Sequence, residues 1–278
     1  MPCRRIVRAV AVRALGRRLP GLLAQYEERS FLVPPGDTMY SAVFLDGEYE
    51  ASCCDLLRAW LRPGDCVVDI GANHGWFSLL MAAVVGPAGV VVASEPMPEM
   101  LRALRHNLEL NGELDVRLLP VAFGAETGEV ELHMFAGLPH GHTSVSSLGR
   151  SDYVVTTAPV QRFDDALAGE QPLFVKLDVE GAELDVLRGA EAVLAGPRPP
   201  SWLIEVNYET SRAMGYRPQD LHSHLVALHD YELYRVVEGG LAAERRPENA
   251  PQGSSWLFVS TPDRERLRHV RIVAQASG

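Results

Sequence analysis

Apolar and polar residues recur along the chain with two periods, and the switches between them mark its elements. "CVVDIGANHGWFSLLMAAVV" runs from an apolar strand through a glycine-containing turn into a helix. Phe77, Leu80, Met81 and Val84 there fall at i, i+3, i+4 and i+7, which predicts one buried face. "GVVVASEP" reads as a second buried strand. "MPEMLRALRHNLELNG" is a second helix, with Leu101, Leu104 and Leu108 inward and Asn111-Gly112 closing it. "DVRLLPVAFG", the more exposed "EVELHMF" and "YVVTTAPVQRF" follow as strands. A strand over 173–179 leads into a helix with Leu184, Leu187 and Leu194 on one side. "PSWLIEVN" is a further strand, and Pro218 opens the helix "PQDLHSHLVALHD". "ELYRVV" and "SWLFVST" finish as strands, expected as a hairpin at the sheet edge. This alternation predicts an α/β fold, a mostly parallel doubly wound sheet with helices on both faces.

Upstream, short strands precede a helix from about Ala51 to Leu61, stopped by Pro63-Gly64. The first residues are Arg-rich and carry no acid before Glu27. Arg8 and Arg13 interrupt any apolar core that a secretory signal would need; an Arg-rich, acid-poor start also fits a transit peptide or a membrane-surface helix, and a helix docked on the domain is the reading preferred. We therefore divide the chain into a helical extension or cap, 1–44, and a main domain, 45–278. The segment 136–152 lacks periodicity and is rich in Gly, Ser and His, as expected of a functional loop or lid.

Composition narrows the function. A net charge of -10 argues against a nucleic-acid backbone as the main partner. No apolar run is long enough for a membrane span. Cys3, Cys53, Cys54 and Cys66 form no metal or disulfide pattern, as expected of reduced thiols in a cytoplasmic protein. The sequence is compatible with a monomer or a homodimer.

The turn Asp69-Ile70-Gly71-Ala72-Asn73-His74-Gly75 carries the first chemical signal. Ligands of doubly wound sheets bind at the carboxyl ends of the strands. Gly71 lets backbone approach closely, Asn73 tolerates a left-handed conformation, and Gly75 permits tight helix packing. Glu95 ends the next strand, where an acid can accept from both hydroxyls of a ribose. A nicotinamide dinucleotide wants G-x-G-x-x-G for its pyrophosphate. This chain has G-x-x-x-G preceded by Asp69, a carboxylate that repels phosphate and suits an ammonium. The pattern favours S-adenosylmethionine.

"VVDIGANHGWFS", "SEP", "HNLELNG", "VAFG", "FVKLDVEGAELDVLRGA" and "IEVN" occur in that order. Together they resemble the FkbM-type family of S-adenosylmethionine-dependent methyltransferases, over about residues 45–210. The resemblance implies a Rossmann-like class I methyltransferase fold with a seven-stranded sheet whose last strand is antiparallel. It implies methyl transfer to a hydroxyl of a small-molecule acceptor, often a sugar or secondary metabolite. By motif, Asp69, Gly71, Asn73 and Gly75 line the methionine end, with Ala72 and Pro96 in the same set. Glu95 holds the ribose, and Ala122 and Phe123 sit beside the adenine. His74 departs from an expected aliphatic residue and reads as a polar rim to the pocket.

For the chemistry, Asp178 is the first candidate for general base, at a strand end on the same side as Phe174 and Lys176. Glu180 begins the next turn, and Asn207 ends its own strand beside Glu205, placed to orient the acceptor. His142 and His140, in the loop 136–152, are a second base candidate and an acceptor contact. Asp178 or Glu180 with Glu205 would also suit magnesium, but no third acid is evident, so no metal is assigned. Glu183 and Asp185 fit the acidic first turn of a helix. Lys176 is the only lysine among 26 basic residues, and we expect it to position a carboxylate. N-methylation, a nicotinamide-dependent oxidoreductase and an inactive cofactor-binding module are the alternatives.

Overall fold

A computed structural model describes residues 22–26, 29–33, 42, 48–112, 115–135, 143–144, 151, 153–244 and 253–273. The Arg-rich start, His140 and His142 lie outside these residues. Within 1–44 the described part is a hairpin of β1 (Leu22–Tyr26) and β2 (Arg29–Val33). Asn107 and Asn111 bind it through the amides of Leu32 and Ser30, at 2.7 and 2.8 Å. Phe31 stacks on Trp76 with ring centroids 4.7 Å apart.

The first helix is α1 (Ala51–Trp60). There follow β3 (Cys66–Ile70), α2 (Trp76–Val85), β4 (Val90–Ser94), α3 (Pro98–Leu110) and β5 (Val116–Leu119). Next come β6 (Ala122–Phe123), β7 (Gly128–Phe135), β8 (Thr143–Ser144), β9 (Tyr153–Gln161), α4 (Phe163–Ala166) and β10 (Phe174–Leu177). Helices α5 (Glu183–Arg188) and α6 (Glu191–Leu194) precede β11 (Ser201–Val206), α7 (Tyr208–Ala213) and α8 (Pro218–Leu228). The last strands are β12 (Tyr231–Val237), β13 (Gly240–Ala243) and β14 (Ser254–Ser260), with a 3-10 helix over Thr261–His269.

The main sheet has the order β13-β12-β14-β11-β10-β3-β4-β5. Strands β11, β10, β3, β4 and β5 are mutually parallel. Strand β14 is antiparallel to both its neighbours and lies between β11 and β12. It is thus interior, where an edge hairpin was expected, and β13 takes the edge. Every residue of β14 but Ser255 is buried, so its near-continuous apolar run fits an interior strand. The topology is the Rossmann-like class I methyltransferase fold, the antiparallel strand inserted last, with β13 as an eighth strand at the edge where seven strands were expected.

A second sheet, β6-β9-β7-β8, stands apart from the first. The expected third strand therefore splits after Leu119, and its end joins this sheet. Leu132 and Ala158 of the second sheet pack on Met97 and Met100 of α3 and the turn before it.

Helix α2 is buried on nearly all sides, not along one stripe, since it is packed between the sheet and α1. In α3 the buried residues are Met100, Leu104 and Asn107, while Leu101 is half-buried. The helix expected after 179 breaks at Gly189, yet Leu184, Leu187 and Leu194 all reach the core.

Candidate active site

A cleft of about 510 Å3 opens along the carboxyl ends of the parallel strands. Gly71, Asn73, Glu95 and Pro96 form one end of its wall, and Ala122 and Phe123 another part. Glu129, Val130, Leu132 and Val160 of the second sheet close over it. The turn after β10 supplies Asp178 and Glu180, β11 itself supplies Glu205, and Tyr49 comes from the segment before α1.

The glycine turn is shaped by close contacts. Gly71 has φ 81°, and a Cβ there would overlap the carbonyl oxygen of Asp178. Its freedom therefore brings two strand ends together. Gly75 has φ 90° and abuts the side chain of Leu104, the tight helix packing expected of it. Asn73 adopts φ 50°, and its amide donates to Glu95 Oε2 at 2.8 Å. The other oxygen, Oε1, accepts from Met97 N at 2.8 Å. Burial pushes the Glu95 carboxyl up to about 7, against the pull of those two amides.

Three of the expected cofactor residues, Asp69, Ala72 and Gly75, are buried and do not line the cleft. Asp69 is fully buried and accepts from Ser78 Oγ at 2.6 Å. Burial raises its proton affinity, and the Lys176 charge opposes that rise. Ala72 is also buried. His74 is not a rim residue: it has no exposure, and its carbonyl accepts from Asn107 Nδ2 at 2.8 Å. Asn207 is committed to capping α7, accepting from the amides of Glu209 and Thr210 at 3.0 and 3.4 Å.

The acids of the 178–185 stretch separate as the sequence implied, with one exception. Glu183 is buried and holds the turn, accepting from Gly181 N at 2.9 Å and from the Tyr216 hydroxyl. Asp185 pairs with Arg188 but also lines the cleft. Glu180 lines it in a left-handed conformation, φ 53°.

Lys176 sits opposite Asp69 in the β10–β3 register and is 4% exposed. Its Nζ lies 3.0 Å from Asp178 Oδ2 and 4.4 Å from the Phe77 ring centroid. Burial pulls its proton affinity down, but the charges of Asp178, Asp69, Glu50 and Glu205 more than offset that. Lys176 is the shared cation of this acid group, as expected.

The third acid that the sequence did not reveal is Glu50. One carboxylate oxygen each from Glu50, Asp178 and Glu205 lie within 4.8 Å of one another, close enough in principle to share a cation. The Asp178 charge, then burial, pushes Glu205 up to about 10. Its proton affinity is thus raised well above that of an ordinary carboxyl, beside an Asp178 side chain that hydrogen-bonds to it.

Residues 69–236 match the model of the methyltransferase FkbM domain. The chain belongs to the FkbM methyltransferase family. It is accordingly an S-adenosylmethionine-dependent methyltransferase. The chain is 29% identical over 214 residues to methyltransferase sdnD of Sordaria araneosa, covering 65% of this chain and 77% of that one. It is 29% identical over 147 residues to methyltransferase 1 of Beauveria bassiana, 45% of this chain and 58% of the other. Among solved structures, an S-adenosylmethionine-dependent O-methyltransferase of Thermotoga maritima aligns at 12% identity with a TM-score of 0.43, covering 88% and 79%. Tyr49 and Glu50 lie before the FkbM match begins. Among the described residues no helix is long and apolar enough to cross a membrane.

Proposed function

We propose that this protein methylates a hydroxyl of a small molecule, with Asp178 as the general base. What supports the reading is the Asp178–Glu205 pair, set together on the cleft wall, where the Asp178 charge raises the proton affinity of Glu205. An ionised carboxylate hydrogen-bonded to a neutral one can accept a hydroxyl proton without collecting two adjacent charges. The same acid group disfavours an amine acceptor, since it would hold the amine as a non-nucleophilic ammonium.

The wall fits the cofactor. Glu95, already fixed by two amides, is oriented to accept from ribose hydroxyls. Ala122 and Phe123, on the cleft wall, would flank the adenine, and Gly71 would leave room beside the methionine end. Asp69 acts one layer below, through Ser78 and the turn. When bound, S-adenosylmethionine supplies an electrophilic methyl on a sulfonium. The chain's own task is to align the acceptor oxygen and take its proton. Lys176 already places a positive charge 3.0 Å from Asp178, so this reading needs no magnesium.

The test combines calorimetry with S-adenosylhomocysteine and a screen of hydroxyl and amine acceptors in the presence of EDTA. Asp178→Asn should keep cofactor affinity and lose at least about 100-fold in kcat. Full activity in Asp178→Asn, or transfer to amines alone, would refute the proposal.

A further inference from the structure

We propose that Glu50 is a positioning residue for methyl transfer: it joins Asp178 and Glu205 in one three-carboxyl group and governs which of them stays protonated. This rests on the reading of Asp178 as base.

The geometry behind it is specific. Glu50 holds φ 47°, a left-handed conformation that glutamate rarely adopts. Its carbonyl accepts from the amides of Cys53 and Cys54 at 2.9 and 3.1 Å, opening α1. Cys53 Sγ in turn donates to Ser255 Oγ at 3.4 Å. Ser255 is the residue opposite Glu205 in the β11–β14 register. The start of α1 is thus pinned to the strand pair that carries Glu205, and a strained backbone at that point delivers a third acid. Strain of this kind persists where surrounding contacts over-determine it, often at functional sites.

The groups facing Glu50 come from every neighbouring element. Tyr49, beside it in the chain, and Cys53 of α1 hydrogen-bond to it. Lys176 and Asp178 face it from β10 and the turn that follows. Glu205 faces it from β11, and Asp69 of β3 reaches the group through the shared charge of Lys176. Burial raises the proton affinity of Glu50 first, the Asp178 charge raises it too, and Lys176 opposes both. One lysine cannot neutralise so many acids, so the group retains a proton. Each added carboxylate makes the last proton harder to remove.

Infrared spectroscopy of the full-length protein reads this without an acceptor. The carboxylic-acid C=O band is followed from about pH 6 to about pH 11. In the wild type one acid band should persist well above the ordinary carboxylate range, and Glu205→Gln should remove that step. Glu50→Gln should move the step at least about one pH unit lower. Glu50→Asn, which tolerates the left-handed backbone, should do the same, and Glu50→Asp should lie between. The alkaline limb of kcat/KM should move with the band. Superimposable infrared titrations would overturn the proposal. A shifted band with an unshifted kcat/KM limb would overturn its role in transfer. A shifted band in a protein that methylates no acceptor would leave the three-carboxyl group standing and reject the function instead.

Discussion

Replacing Lys176 by methionine tests the electrostatics of the site most directly. Methionine keeps the length of the side chain and its packing on Phe77, so the change removes a charge and little volume. It strips the cation from Asp178, at 3.0 Å, and from the neighbouring Asp69, Glu50 and Glu205. Breaking a buried ion pair by deleting one partner costs about 3–5 kcal/mol, because the remaining charge is left uncompensated. The Asp178 side chain is 23% exposed, which places the expected loss toward about 3 kcal/mol. For a domain of this size that lowers the melting temperature by on the order of 10 °C.

The pH dependence carries the sign. Without Lys176 the carboxyls bind protons still more tightly in the folded state than in the unfolded chain. Groups with raised folded values stabilise below their unfolded values, near 4, and lose that contribution as pH rises. The loss caused by Lys176→Met should therefore grow from about pH 5 to about pH 8. Urea unfolding is the assay, with the buried Trp60, Trp76, Trp202 and Trp256 as fluorescent reporters. A loss below about 1 kcal/mol, or one larger at pH 5 than at pH 8, would refute the reasoning.

Other outcomes follow from the same geometry. Glu95, raised from 4.5 to about 7, favours folding below 4.5 and loses that contribution as pH rises through 7, by about 3 kcal/mol. Ribose hydroxyls need its ionised form, so cofactor binding near pH 6 should release a proton, detectable as buffer-dependent binding heat. Glu95→Gln should abolish that dependence; a persisting proton release would assign it elsewhere. Gly71→Ala should displace the Asp178 turn and weaken S-adenosylhomocysteine binding at least about 100-fold, since the new Cβ meets a carbonyl oxygen in a left-handed conformation. Wild-type affinity in Gly71→Ala would show that the two strand ends are not coupled.

Local signals account for what was legible in the sequence. Periodicity identified the strands and helices of the main sheet, and the run around Gly71 identified its binding turn. The left-handed Asn73, the packing at Gly75 and the Lys176–Asp178 pairing on one strand face all follow from residue type and a period of two. Pairing between distant strands does not. Alternation in "EVELHMF" cannot say that its partner is β9 and not the main sheet. Asn207 directly precedes a helix and caps it, a local role that its neighbour Glu205 obscures in the sequence. Glu50 had no such local mark. Its place among the acids depends on α1 docking against β14, more than 200 residues away in the chain.

The solitary lysine also sets the chemical surface of the molecule. Being 4% exposed, Lys176 offers almost nothing to reagents in solution. Twenty-five of the 26 basic residues are arginines, which do not acylate under mild conditions. The side-chain amine chemistry of this protein, from carbamylation to active-ester labelling, therefore reports on a single atom. Any modification of that atom would mean that the wall between Phe77 and Asp178 had opened.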